Sequence, residues 1–216
     1  MTSHLISDLA ARVGRLVHRW RASTEGVAAV EFALIVPIMA VMFIGAVELS
    51  QAITVDRRVT QVASSTADLV AQAPKQISQA EITDIMKAGS LIVAPYDQNP
   101  LQIIIRNVTS SPASATTAKQ SWSCTYRGLG STLACACSNT PYTLPPGLVT
   151  TNDSVVISET TYSYKPLVFD HFMKTLGAAG NSGTYTLAET IYLKPRSQAA
   201  MLLQADNTPC PSPTFP

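Results

Sequence analysis

Hydrophobic residues are concentrated in one long run near the start of the chain. From Val27 to Val47 the sequence has 21 residues, and Glu31 is the only charged one among them. At a helical rise of about 1.5 Å per residue the run extends about 31 Å, which matches the hydrocarbon core of a bilayer. This pattern predicts a single membrane-spanning helix, with Pro37 as a tolerated bend inside it.

Helical periodicity continues beyond this run as a narrower stripe. Small and apolar residues step by three and four, polar residues fill the other positions, and Pro74 ends the pattern. The stripe consists of Ala52, Val55, Val59, Val62, Thr66, Leu69 and Ala73. We therefore expect one helix of nearly fifty residues. Its second half packs against the protein's own sheet, or alternatively against other subunits in a fibre.

The remainder of the chain indicates a second helix followed by strands. Ser78 and Glu81 have the spacing of a capping box, which predicts a helix near 79–88 that ends at Gly89. A further short helix is predicted over 169–176, followed by a loop over 177–183. The predicted strands are Leu101–Val108, Gln120–Arg127, Ser154–Tyr164 and Tyr185–Leu193. The predicted fold class is α+β, with the long N-terminal helix packed on a small, roughly four-stranded antiparallel sheet.

Charge is distributed unevenly along the chain. The formal net charge of +1 divides into +2 over residues 1–26 and −1 over the rest. Because arginines lie directly before the apolar run, the positive-inside rule places the leader in the cytoplasm and exports the C-terminal bulk. Apolar positions at helical spacing over 5–20 predict an amphipathic helix on the inner membrane surface. The nearly neutral exterior part lacks the basic patch that nucleic-acid binding requires.

The carboxylate of Glu31 is costly inside an apolar helix, by about 3 kcal/mol on insertion scales. A cut after Gly26 would give Val27 a positive α-amine. Glu31 lies four residues further on, which is one helical turn away on the same face, and a negative charge in the first turn suits the helix dipole. The amine of the same chain or of a neighbouring copy would then neutralise the carboxylate.

Gly26, then Glu31 and Phe32, follow a short basic leader and open a hydrophobic helix. This arrangement resembles the processing site of type IV prepilins, in particular the Flp pilins and TadE-like pseudopilins of the tight-adherence (Tad) pilus system. Phe32 stands where the family often has tyrosine. Residues 161–167 and 192–196 resemble the tyrosine-rich strand and the Arg-Pro-Arg-like ending of TadE/TadG-like proteins, with a lysine where arginine is commoner.

The resemblance implies a role for each of these positions. A membrane-embedded prepilin peptidase would cut after Gly26, Val27 would be the new terminus, and Glu31 and Phe32 would serve assembly. The implied partners are the prepilin peptidase, the Flp pilin, other Tad minor pilins, the Tad inner-membrane platform and the lipid bilayer. The expected organisation is a removed leader (1–26), a transmembrane helix (27–48), its amphipathic continuation (49–74) and a periplasmic α+β domain (75–216).

All four cysteines lie in the part expected outside the cytoplasm. An even number in an oxidising compartment favours two disulfides, among Cys124, Cys135, Cys137 and Cys210. A bond between Cys135 and Cys137 would close a strained ring, so each is expected to join Cys124 or Cys210. A small loop from Cys124 is the more natural staple, and closing about 12 residues contributes about 3 kcal/mol.

Catalytic motifs are missing from the sequence. It has no nucleophile elbow, phosphate-binding glycine loop or His-Glu-x-x-His pattern, so we expect neither an enzyme nor a bound metal or cofactor. The predicted function is a minor pilin of a Tad/Flp pilus for surface attachment, in a bacterial inner membrane with the C-terminal domain periplasmic. The alternatives are an uncleaved anchor that displays a scaffolding or adhesive domain, and a periplasmic enzyme or metal protein that uses the cysteines.

Overall fold

The structure is a computed structural model that describes residues 13–14, 18, 25–166, 168, 183–196, 201–205 and 208–215. The predicted helix over 169–176, the predicted loop up to residue 182 and most of the predicted leader helix lie outside these ranges. The chain divides into two compact units, Met1–Val47 and Glu48–Pro216.

One helix, α1, extends over Glu25–Ala71 and contains Pro37 in its interior. Its 47 residues agree with the predicted length, and it begins two residues before and ends three residues before the predicted range of 27–74. In the first unit nearly all of its side chains are exposed, and Phe32 and Phe43 are 71% and 72% exposed. Among the described residues of its own unit, this part of α1 has no protein core to pack against.

From Glu48 onward, α1 belongs to the second unit and buries one face. The predicted stripe is buried at Val55, Val59, Val62 and Thr66, but Leu69 is 45% exposed. The prediction was wrong at Leu69, because the buried row takes a step of four from Thr66 and continues at Val70, which is fully buried. Ala63 and Ala67, which follow Val62 and Thr66 in the sequence, are also buried and complete this face.

The second helix, α2, is Gln79–Leu91, and its N-terminus has the predicted capping box. The Ser78 hydroxyl accepts a hydrogen bond from the Glu81 amide at 3.2 Å, and the Glu81 carboxylate accepts from the Ser78 amide at 2.8 Å. The bond from the Ser78 amide, and a second one from the Ser78 hydroxyl to the same carboxylate at 2.9 Å, hold the pKa of Glu81 below its usual value. The predicted end was wrong, because Gly89 is a buried residue inside the helix and Ile92 is the C-cap.

A five-stranded antiparallel sheet carries the core, so the predicted α+β class is confirmed with one strand more than expected. Its order is β4-β3-β2-β5-β6. The strands are β2 (Leu101–Ser110), β3 (Ala118–Arg127), β4 (Ala134–Tyr142), β5 (Ser154–Tyr164) and β6 (Tyr185–Leu193). Four of them correspond to the predicted strands, and β4 was not predicted.

A smaller sheet joins the segment after α1 to the C-terminal segment. It is formed by β1 (Gln76–Ser78), β7 (Leu202–Ala205) and β8 (Thr208–Pro209), in the order β1-β7-β8. The pairing of β1 with β7 is parallel, and β7 with β8 is antiparallel. The chain therefore returns at its end to the segment that directly follows α1.

One face of the large sheet packs against the helices. Side chains alternate between the faces of a strand, so β2, β3 and β5 each contribute every second residue to this core. They are Ile103, Ile105, Trp122, Cys124, Tyr126, Val156, Tyr162 and Tyr164, which cluster with Val55, Val59, Val62, Ile82 and Met86. On the other face a smaller cluster forms around Val108, Ala118, Val149, Val155 and Ile157.

Candidate assembly site and cysteine staples

Glu31 lies in the second turn of α1 among exposed apolar side chains. Val27, Val30 and Phe32 are 54%, 61% and 71% exposed, and Glu31 is exposed as well. No hydrogen bond or ion pair joins the Glu31 carboxylate to another of the described residues. Val27 and Glu31 are four residues apart in one continuous helix, which places them on the same face.

Gly26 lies in the first turn of α1, where packing does not require a glycine. A Cβ atom added at this position would have no heavy atom within 4 Å. In an uncut chain the Val27 nitrogen is a neutral amide, which cannot neutralise the Glu31 carboxylate. All four predicted residues, Gly26, Val27, Glu31 and Phe32, lie within the first two turns of α1, and Val27 and Glu31 are the pair at i, i+4 spacing.

The four cysteines lie in the second unit and form two disulfides. Cys124 and Cys135 stand directly opposite each other on β3 and β4, with their Cα atoms 4.1 Å apart. Cys137, two residues further along β4, is bonded to Cys210 near the end of the chain. None of the four is a free thiol. Within the described ranges, no cluster of histidine, cysteine or acidic side chains could hold a metal ion.

A polar cluster that was not predicted crosses the face of the large sheet opposite the helices. Arg106 binds the Glu159 carboxylate through Nε and Nη2, both at 3.2 Å, and donates to Gln120 at 2.9 Å. The Tyr142 hydroxyl donates to Glu159 at 3.1 Å. Burial, with the Glu159 carboxylate adding to it, raises the pKa of Tyr142 to about 12. These internal partners indicate a structural cluster.

Glu48 at the start of the second unit was also missed. It is only 9% exposed, and its Oε1 accepts a hydrogen bond from the Val168 amide at 2.5 Å. Burial raises the pKa of Tyr164, and the neighbouring Glu48 carboxylate adds to the effect. Glu48 and Val168 are 120 residues apart, so no local sequence motif could indicate this contact.

α1 is the candidate membrane segment among the described residues. Over 26–71 it has a stretch with a mean hydropathy of 2.5, none of which is buried inside the protein. By length and composition it is able to cross a membrane.

Comparison with known proteins gives a match to a family model. Residues 26–68 match the family model described as TadE-like protein. The N-terminal helix is TadE-like. The predicted TadE-like resemblance is thereby confirmed over this segment, which begins at Gly26 and includes Glu31 and Phe32. No curated protein and no solved structure matches the chain. The TadE-like match thus covers the same helix that is able to cross a membrane by length and composition.

Proposed function

We propose that this protein is a minor pilin, or pseudopilin, that assembles or primes a Tad/Flp-type pilus for surface attachment. The observation that carries the proposal is the TadE-like match, which starts at Gly26 and covers the helix whose apolar run contains one charge. Residues 1–26 would be a leader that a prepilin peptidase removes. The surrounding structure gives Gly26 no packing role, which is the expected situation for a residue read by another protein.

Glu31 would act after this cut. A carboxylate in the apolar part of a membrane helix costs about 3 kcal/mol unless a partner neutralises it. The new amine of Val27, one turn away or on a neighbouring subunit, is such a partner. Glu31 is exposed in the first unit and has no partner among the described residues. Lateral packing of helices would therefore be most favourable in free energy where it brings an amine next to the Glu31 carboxylate.

The proposed setting is the inner membrane, with the N-terminus cytoplasmic and the C-terminal unit periplasmic. The membrane segment would be 27–48, its amphipathic continuation 49–74, and the periplasmic domain 75–216. Two disulfides in that domain fit an oxidising compartment. The partners would be the prepilin peptidase, the Flp pilin, other Tad minor pilins, the Tad inner-membrane platform and the bilayer.

The N-terminal sequence of the membrane-bound protein tests the processing step. We expect Val27 as the first residue of the mature chain, and Met1 in a Gly26→Ala variant because the peptidase no longer cuts. Gly45→Ala is the matched control, since Gly45 is also a helical glycine with open space at its Cβ, and its product should still begin at Val27. A mature wild-type chain that begins at Met1 would leave the alternative, an uncleaved anchor that displays a scaffolding or adhesive domain.

A further inference from the structure

One exposed row of α1 stays apolar beyond the run that ends at Val47, next to the exposed polar residues Ser50, Gln51 and Thr54. Leu49 and Ile53 are 63% and 47% exposed although they belong to the second unit. Arg57 follows on the same face, four residues after Ile53, and is exposed. The change from apolar to polar on this face therefore occurs between Ile53 and Arg57.

The length of the helix places this change at a definite depth. From Val27 to Ile53 the helix rises about 39 Å, at 1.5 Å per residue. This exceeds the hydrocarbon core of about 30 Å and approaches the 40–45 Å that include the headgroups. If the apolar run of α1 fills the core, Leu49 and Ile53 reach the headgroup layer.

A second segment of the protein is held at the same level as this turn. The Glu48 carboxylate accepts the Val168 amide hydrogen, which fixes the chain after β5 next to the first turn of the second unit. The Val168 side chain is nevertheless 47% exposed. An apolar side chain from a distant part of the sequence thus lies beside the turn that carries Leu49.

We propose that Leu49, Ile53 and Val168 form a membrane-contact rim, through which the C-terminal unit touches the phospholipid headgroup layer. Continuity with the apolar helix identifies lipid as the occupant, because the rim begins two residues after the run ends at Val47. The cation of Arg57 is well placed to meet lipid phosphates. Its neighbour Arg58 faces inward instead, since its Nη1 donates to the carbonyl oxygens of Ile92 and Ala94.

The rim depends on the membrane anchor and not on cleavage after Gly26. Processed and unprocessed chains have the same residues from Glu48 onward, so the contact is expected in both. A test on the rim therefore gives its result whether or not the N-terminal sequence begins at Val27.

Tryptophan fluorescence in nanodiscs tests the rim with the full chain. Ile53→Trp and Val168→Trp are compared with Leu69→Trp, each in a Trp20→Phe background, using lipids that carry a nitroxide quencher on the headgroup. Leu69 is the matched control because it is 45% exposed on the same helix, about 24 Å beyond Ile53. The remaining tryptophan, Trp122, is fully buried in the core, and its emission is subtracted with the parent protein.

We expect the headgroup quencher to lower the emission of the Ile53→Trp and Val168→Trp variants, and to leave that of Leu69→Trp unchanged. Equal quenching at all three positions would overturn the proposal. So would quenching at Ile53→Trp alone, since the C-terminal unit would then not reach the lipid at Val168. Blue-shifted emission without quenching at Ile53→Trp would also overturn it, because that result indicates a protein neighbour. All three side chains are exposed, so the substitutions leave the core intact.

Discussion

At the scale of single residues, Gly89 allows α1 and α2 to lie in direct contact. A Cβ atom at this position would lie 2.4 Å from Thr66 Cγ2, which is a severe overlap. Thr66 cannot move away easily, because it is fully buried and its hydroxyl lies 3.0 Å from that of Ser158 on β5. Gly89 thus serves close helix packing, where the sequence predicted a helix end.

Gly89→Ala is expected to lower the free energy of unfolding by about 1–3 kcal/mol, the usual cost of overpacking, although alanine favours a helix more than glycine does. Urea unfolding of the detergent-solubilised protein, followed through Trp122, measures the change. Gly45→Ala is the control, because its Cβ would meet open space and only the helix preference remains.

Shortening the opposing side chain separates overlap from other causes. Thr66→Ser removes Cγ2 and keeps the hydroxyl that faces Ser158, so the double variant with Gly89→Ala should recover most of the loss. If Gly89→Ala is as stable as the wild type, or if Thr66→Ser restores no stability to the double variant, close packing of α1 and α2 does not require a glycine at position 89.

At the scale of elements, the helices and strands with a strong hydrophobic periodicity were predicted from the sequence. Val155 to Tyr164 alternates clearly and forms β5, and the stripe along α1 packs on the sheet as expected, apart from Leu69. β4 was missed because Ala-Cys-Ala-Cys-Ser-Asn-Thr-Pro-Tyr has little strand preference and contains Pro141. It is an edge strand, which tolerates proline, and two disulfides attach it to β3 and the C-terminal segment.

The short strands were beyond prediction for a different reason. β1, β7 and β8 have three, four and two residues, too few for a period to be recognised. Their pairing is decided by contacts over long sequence distances, such as Ile77 with Leu203. Such pairs depend on the packing of the whole unit, and local preference contributes little.

The two disulfides are expected to stabilise different elements. Cys137→Ser with Cys210→Ser opens a loop of 73 residues, whose closure is worth about 4 kcal/mol, compared with about 3 kcal/mol for the 11-residue spacing of Cys124 and Cys135. Hydrogen exchange by mass spectrometry should show faster exchange in β7, whose Leu202 amide donates to Lys75.

The control is the variant with Cys124→Ser and Cys135→Ser. In this variant the amides of β7 should still exchange slowly when they are compared with those of β2 and β5 in the same protein. Unchanged exchange of β7 without the Cys137–Cys210 bond would mean that strand pairing alone holds the C-terminal segment in place.

At the scale of the whole molecule, the candidate assembly site depended only on local spacing. Gly26, Val27, Glu31 and Phe32 lie within two helical turns, so a sequence with the right periodicity already places them together. The rim was not predictable in the same way. Leu49 and Val168 are brought to one level by the bond between Glu48 and the Val168 amide, which no local pattern indicates.

Replacing Glu31 tests assembly in the living cell. Glu31→Ala and Glu31→Gln both remove the carboxylate charge, so we expect each variant to remain in the membrane fraction and to produce far fewer pili. Membrane insertion should not suffer, because the change relieves a cost of about 3 kcal/mol. Electron microscopy counts the pili, and immunoblotting of membranes measures the protein.

Val30→Ala is the matched control, since Val30 is a 61% exposed neighbour without charge, and its pili should remain at the wild-type level. Normal piliation with Glu31→Ala would exclude the carboxylate from assembly. Piliation with Glu31→Gln but not with Glu31→Ala would assign the effect to side-chain size and not to charge.

The carbonyl oxygen of Met201 accepts hydrogen bonds from the Trp122 indole at 2.9 Å and from the Asn107 amide at 3.1 Å. The Trp122 indole is fully buried, so it lacks this hydrogen-bond partner until the segment around Met201 is in place. Closure of this core therefore requires the segment around Met201, and we expect a nonsense mutation before Met201 to leave the core open. We expect quality-control proteases to degrade such a truncated product.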